Sequence, residues 1–382
     1  MRLEWQIGFW IGALLLLILL LWLFSGVLLP FAAAMALAYL LNPVADRLER
    51  LGVSRLGATL LIMTAFVVVL ALIMILIMPA FWRQLVSFLQ ALPANVVKLE
   101  DVLTDFSTRL ASDHGATLLE RLGLGKAASA DLRNSTSELV NQAAQWAGAF
   151  VKSIWSSGAA LISLLSLLVL TPVVTFYMLL DWERMIATVD SLVPLRHRET
   201  VRELAREIDA AMAGFLRGQS LVCLFLGVWY GVGLSLIGLN FGLLIGISAG
   251  FLSFIPYVGS LTALILSAIV AIVQGWPEWR LLAMALGVVV AGQFLEGNVL
   301  SPKLVGGSVG LHPVWLIFAL LAFGSLFGFT GLIVAVPLAA AVGVLLRFAV
   351  KRYRESKLYT QIDAPASKIL IESAAIGATE RG

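Results

Sequence analysis

The sequence predicts an all-α, polytopic integral membrane protein: about eight transmembrane helices, room for re-entrant segments among them, and an extramembrane helical insert. Three observations carry this. First, of 382 residues 60% are hydrophobic and only 13% charged, about half the charged share of a soluble domain. Second, the charges sit in short blocks. Residues 5–45, 56–82, 153–180, 218–277 and 304–346 contain no Asp, Glu, Lys or Arg. A spanning helix needs about 20 apolar residues at about 1.5 Å rise each, so each tract holds at least one crossing. Third, no tract alternates apolar and polar residues as the strands of a membrane barrel do.

In chain order, residues 7–24 and 27–41 predict a tight apolar hairpin, with Pro30 near the start of its second arm. The first run is of full spanning length and passes directly into the second, which reads as an uncleaved anchor rather than a signal peptide. A third helix is predicted over 56–79, closing N-terminal transmembrane helices over 1–81. An extramembrane helical insert follows over 82–153. There Leu85, Phe88 and Leu92, and later Leu139, Ala143, Trp146 and Phe150, recur at helical spacing. Residues 154–180 form the next crossing, with Pro172 available to kink it.

Residues 181–217 then predict a cytoplasmic amphipathic segment. Its apolar stripe is Val201, Leu204, Ile208, Ala211 and Phe215, and its polar face Glu199, Arg202, Glu203, Arg206 and Glu207 can pair at i,i+3. The C-terminal bundle, 218–350, is punctuated by Gly238-Leu239-Asn240 and by Pro256. Residues 312–346 are expected to fold in two around 328–331. A cytoplasmic tail, 351–382, completes the chain. Arg47, Arg50 and Arg55 in one short loop, and Arg347, Lys351, Arg352, Arg354 and Lys357 in the tail, place both on the cytoplasmic side, with both termini inside.

Several functions are disfavoured. The formal charge of +3 is too small and scattered for nucleic-acid binding. The lone Cys223 allows no disulfide within the chain and reads as a packing residue. There is no phosphate loop of the ATPase type. The three histidines are far apart without metal-ligand spacing, and no catalytic elbow stands out. The reading is a protein that is no enzyme and needs no cofactor.

Three stretches carry the remaining chemistry. Around Glu296 the sequence runs from Gln293 through Asn298, Pro302 and Lys303. A carboxylate in hydrocarbon must be paired, protonated or facing water. It is therefore a substrate or ion contact, a charge neutralised by Lys303 seven residues on, or an interfacial group. Gln293 and Asn298 add neutral hydrogen-bonding capacity, for a solute or between helices. In the second stretch, Arg217 and Gln219 stand where the amphipathic helix enters the bilayer. Arg217 is a binder of anionic groups, a partner of Asp209, or a snorkelling anchor. The third, Pro256, Tyr257 and Gly259, is a break within apolar flanks. Such a break is either unwound backbone lining a cavity or a plain surface loop. Small-residue spacings at Gly227/Gly231, Gly242/Gly246/Gly250 and Gly324/Gly328 permit close helix approach in a bundle or an oligomer.

Taken together, Leu29-Pro30-Phe31, the run Ala38 to Pro43, Phe215 to Gln219, Phe254 to Gly259, Glu296-Gly297-Asn298 and Ser301-Pro302-Lys303 resemble the autoinducer-2 exporter family of bacterial permeases. The likeness covers residues 7–352. It implies a bacterial inner-membrane transporter without an ATPase, working as a homo-oligomer. Arg217, Gln219, Pro256, Tyr257, Gly259, Glu296, Asn298, Pro302 and Lys303 fall on the family's motif positions. The family is associated both with export of a quorum-sensing signal and with sodium- or lithium-proton antiport. The partners expected are the lipid bilayer and a small polar solute or cation. The leading expectation is export of a small polar solute such as autoinducer-2. Antiport through Glu296 is the alternative, and a non-transporting envelope scaffold a second one.

Overall fold

A computed structural model describes residues 23–111, 158–305 and 312–356, with a few isolated positions beyond them. Among the described residues the elements are helical throughout, with no strand. They are α1 (Ser25–Arg50), α2 (Arg55–Leu76), α3 (Met78–Ala111), α4 (Gly158–Leu192), α5 (Arg198–Leu236), α6 (Gly242–Leu252), α7 (Val258–Gly275), α8 (Arg280–Leu295) and α9 (Pro313–Arg354). A π-helical stretch, Glu296–Val305, extends α8. Among the described residues seven helices are long and apolar enough to cross a membrane. The predicted first crossing, 7–24, lies almost wholly outside the described residues, as do Leu139, Ala143, Trp146 and Phe150 of the insert. Leu60, Leu61, Leu72, Ile75 and Leu76 of α2 are all exposed. Water would not tolerate such a face, whereas lipid solvates it.

The chain divides into two units. One holds residues 1–182 and 216–306, the other 183–215 and 307–382.

In the first unit, α1 and α2 make a hairpin whose corner is built from backbone chemistry. Val53 N–H reaches Leu48 C=O at 3.1 Å and Gly52 N–H reaches Glu49 C=O at 2.9 Å, with Gly52 at φ 91°. That is the Schellman ending of a helix. Ser54 then caps α2, its Oγ accepting from Gly57 N–H. Beside the corner, Arg55 binds Asp46 and Glu49 at 2.9 Å each, Asn42 Oδ1 at 2.6 Å and the Leu179 carbonyl of α4 at 2.9 Å. Arg55 therefore joins three helices, beyond the loop charge read from sequence. Further along, Thr171 and Thr175 of α4 donate to the carbonyls of Pro30 and Ala34 on α1.

The helix predicted to end at Pro79 breaks only at Ile77 and resumes as α3, because Pro79 falls in the first turn, where no donor is needed. Leu85, Phe88 and Leu92 lie on this helix, as their spacing predicts. Gln84 accepts from Leu244 N–H at 2.9 Å, Phe88 packs edge-on against Phe241, and Asp105 accepts from the Trp276 indole.

The rest of the unit is built around α5. Val222, Leu226, Tyr230 and Leu234 are fully buried at helical spacing and meet Ile245, Ala249, Ala263, Ala285 and Val289 from α6, α7 and α8. Helix α6 runs antiparallel to α5. A side chain on Gly246 would collide with the backbone of Gly231, and one on Gly250 with that of Gly227. The small residues noted in sequence thus seat these two helices backbone to backbone. Gln274 ties the end of α7 to the α5–α6 turn, donating to Gly238 C=O and accepting from Asn240 N–H.

In the second unit, Arg202 reaches back across the turn at Leu195–His197 to grip Asp190 with two bonds of 2.8 and 2.7 Å. The expected i,i+3 pairing of Arg202 with Glu199 gives way to this, and Glu199 lies instead 3.6 Å from Arg206. Helix α9 folds in two as predicted. Gly328, at φ 58° and ψ −138°, breaks it, and a side chain on Gly331 would strike the Phe323 carbonyl. Residues eight apart in a straight helix would stand about 12 Å apart, so the chain doubles back. The first arm, about 15 residues or 22 Å, is too short to cross about 30 Å of hydrocarbon upright.

Candidate functional site

The polar groups of the first unit gather along α5, the π stretch and the α6–α7 turn. Helix α8 runs antiparallel to α5, with Gln293 beside Tyr230 and Leu304 beside Gly218. The Gly218 contact is so close that a side chain there would collide with the Leu304 carbonyl. Glu296 falls between these two levels. This carboxylate therefore lies beside the uncharged stretch of α5 that runs from Gly218 to Leu236.

Gln293 organises the cluster. Its Nε2 donates to Glu296 Oε2 at 3.2 Å and to the Tyr230 hydroxyl at 3.1 Å. Tyr230 is fully buried, and its ring lies on Gly292, where a side chain would come within 2.8 Å of the hydroxyl oxygen. Tyr230 escaped the sequence reading because a tyrosine in an apolar helix resembles an interfacial anchor. The signal that points to it is Gly292 immediately before Gln293.

Among the described residues, Glu296 has no ion-pair partner. Lys303, the neutralising partner considered from sequence, is exposed. The wider i→i+5 turn of the π stretch rotates Lys303 off the face that a seven-residue α-helical spacing would share. Pro302 sits exposed within the same stretch, and Asn298 donates to the Phe294 carbonyl at 3.0 Å. Asn298 thus spends its amide on its own helix.

Gln219 is buried and donates to Ser253 C=O at 2.6 Å, while Ser253 Oγ donates to Ala249 C=O. This sets the α6–α7 turn at the level of Gln219, beside the charged end of α5. In that turn Tyr257 has a left-handed backbone (φ 70°) and an exposed side chain, and Pro256 precedes it. Gly259 lies so close to Ser253 that a side chain would collide with it. The Pro-Tyr-x-Gly motif thus builds a tight corner.

Arg217 reaches neither Asp209 nor, among the described residues, any other acid. Its Nε donates to the Tyr39 carbonyl of α1 at 3.3 Å, across 178 residues. Pro43, four residues beyond Tyr39, has no N–H to give that carbonyl. The Asn42-Pro43 and Arg217-Gly218-Gln219 motifs meet there. Gln293, Glu296 and Tyr230 therefore form one cluster, Gln219 and Gly259 meet at Ser253, and Arg217 faces α1.

Comparison with known proteins fits this architecture. A family model described as "AI-2E family transporter" matches residues 11–351. "Putative permease PerM" of Escherichia coli (strain K12) is 30% identical over 326 residues, covering 85% of this chain and 87% of its own length. "Putative transport protein YueF" of Bacillus subtilis (strain 168) is 28% identical over 83% of each chain. "Putative transport protein MT0215" of Mycobacterium tuberculosis is 27% identical over 90% of this chain and 89% of its own. Matched over nearly its whole length and built of membrane-spanning helices, this chain belongs to the AI-2E transporter family of multi-pass membrane permeases.

Proposed function

We propose that the chain exports a small polar solute, with autoinducer-2 as the named candidate, along a path lined by Glu296, Gln293 and Tyr230. One observation carries the reading: a carboxylate packed beside the uncharged stretch of α5, with described hydrogen-bonding neighbours that are neutral. A hydroxyl-rich solute donates to the carboxylate and exchanges hydrogen bonds with the amide and phenol, without a second protein charge. The sequence has no phosphate-binding loop, so the chain carries no ATP engine of its own. Arg217, Gln219, Pro256, Tyr257 and Gly259 shape the helices around the path, with Asn298, Pro302 and Lys303 in its flanking π stretch. The setting is the inner membrane, and the working form a homo-oligomer.

The lack of an ion-pair partner for Glu296 among the described residues favours a second reading, exchange of a sodium or lithium ion for a proton at this carboxylate. Reconstitution in liposomes separates the two. Export predicts autoinducer-2 flux above empty liposomes with no cation gradient. Exchange predicts that added sodium moves protons and that Glu296→Gln abolishes the movement. Flux no greater than through empty liposomes in both assays rejects both readings.

A further inference from the structure

The last helix carries a feature independent of the transport path. After the Gly328 break, its second arm is uncharged as far as Leu346, about 18 residues or 27 Å, close to the thickness of a hydrocarbon core. Arg347 is therefore the first charge to leave the lipid. From it, Lys351 and Arg354 follow at i+4 and i+7, one face of the helix. They line a shallow groove with Leu346, Val350 and Glu355. Leu346 and Val350 are exposed, at 60% and 50%. Glu355, the groove's acid, lies 3.8 Å from Arg352. Among the described residues Arg347, Lys351 and Arg354 have no carboxylate partner. The triad covers about 10 Å along the axis, comparable to the headgroup layer outside the core.

We propose that this groove binds the headgroup of an anionic glycerophospholipid, with the phosphate held between Arg347, Lys351 and Arg354 and an acyl chain along Leu346 and Val350. The geometry selects a lipid over free phosphate because exposed Leu346 stands on the bilayer side of Arg347 and exposed Val350 adds apolar surface between Arg347 and Lys351. Exposed Tyr353, edge-on to Tyr359, adds aromatic surface of the kind enriched at membrane–water interfaces.

The test uses the full-length protein in detergent, titrated with dioctanoyl phosphatidylglycerol, dioctanoyl phosphatidylcholine or inorganic phosphate, with retention read by native mass spectrometry. Wild type should prefer the glycerol lipid over the choline lipid by at least about tenfold. R347Q/K351Q/R354Q should lose that preference. R347K/R354K should keep most of it, which shows that the helix remains folded. R47Q/R50Q removes two exposed charges elsewhere and should keep it as well. The proposal is overturned if wild type shows no preference, if the triple variant retains it, or if R47Q/R50Q loses it equally. It is also overturned if inorganic phosphate binds as tightly as the lipid.

Discussion

Glu296 was visible in the sequence because a lone acid in a long apolar run is costly and therefore conspicuous. Its immediate partner Gln293 was visible too, three residues away on the same helix. Tyr230 was not, since the contact joins residues 63 apart and depends on Gly292 leaving room for the ring. Two outcomes test this arrangement. Gly292→Ala should displace Tyr230 and lower stability by about 1–3 kcal/mol, the usual cost of overpacking, seen as a lower melting temperature in detergent. Tyr230→Phe keeps the packing and removes only the oxygen that Gln293 donates to. It should leave the melting point nearly unchanged while altering solute flux. Equal loss of stability in both variants would mean that the tyrosine acts by packing alone. Gln219→Leu removes the 2.6 Å bond to Ser253 and should cost about 1 kcal/mol, typical of hydrogen bonds between membrane helices.

At the scale of elements, the breaks followed from glycine and proline, but the ends of the hydrophobic tracts did not set helix ends: α4 runs on to Leu192, and α5 is continuous from Arg198 to Leu236 across the expected boundary at 217. The break at Pro256 and the fold at Gly328 both came from residue types that cannot continue a helix cheaply. Less legible was what the breaks are for. Pro43 entered the sequence reading only as part of a motif, and only the fold shows that the carbonyl it cannot serve faces Arg217. The π stretch was equally hidden, since no residue pattern distinguishes i→i+5 from i→i+4 bonding, and with it went the fate of the Glu296–Lys303 pairing. Gly328→Ala should cost about 1–3 kcal/mol, because its backbone conformation strains any residue with a Cβ. The measurement is the loss of monodisperse protein on size-exclusion chromatography after a heating series. An unchanged profile would show that the two arms are held together without that glycine.

For the whole molecule, the membrane character needed only composition and the placement of charge, whereas the long-range ties needed coordinates. Arg55 looked like one of three loop arginines, yet it joins α1, α2 and α4 through contacts up to 124 residues apart. Sidedness is the prediction at this scale, drawn from the arginine and lysine bias. In a Cys223→Ala background, single cysteines at Val53 and Ser356 should both react with a membrane-impermeant maleimide in inverted vesicles, and neither should react in intact cells. Labelling of one without the other would reverse the orientation of part of the chain.

The seam between Gly231 and Gly246 limits where cargo can travel. Two main chains in direct touch leave no width for even one water molecule, so that boundary is sealed for as long as α5 and α6 stay together. Anything passing through this unit has to skirt the pair, moving with it or beside it.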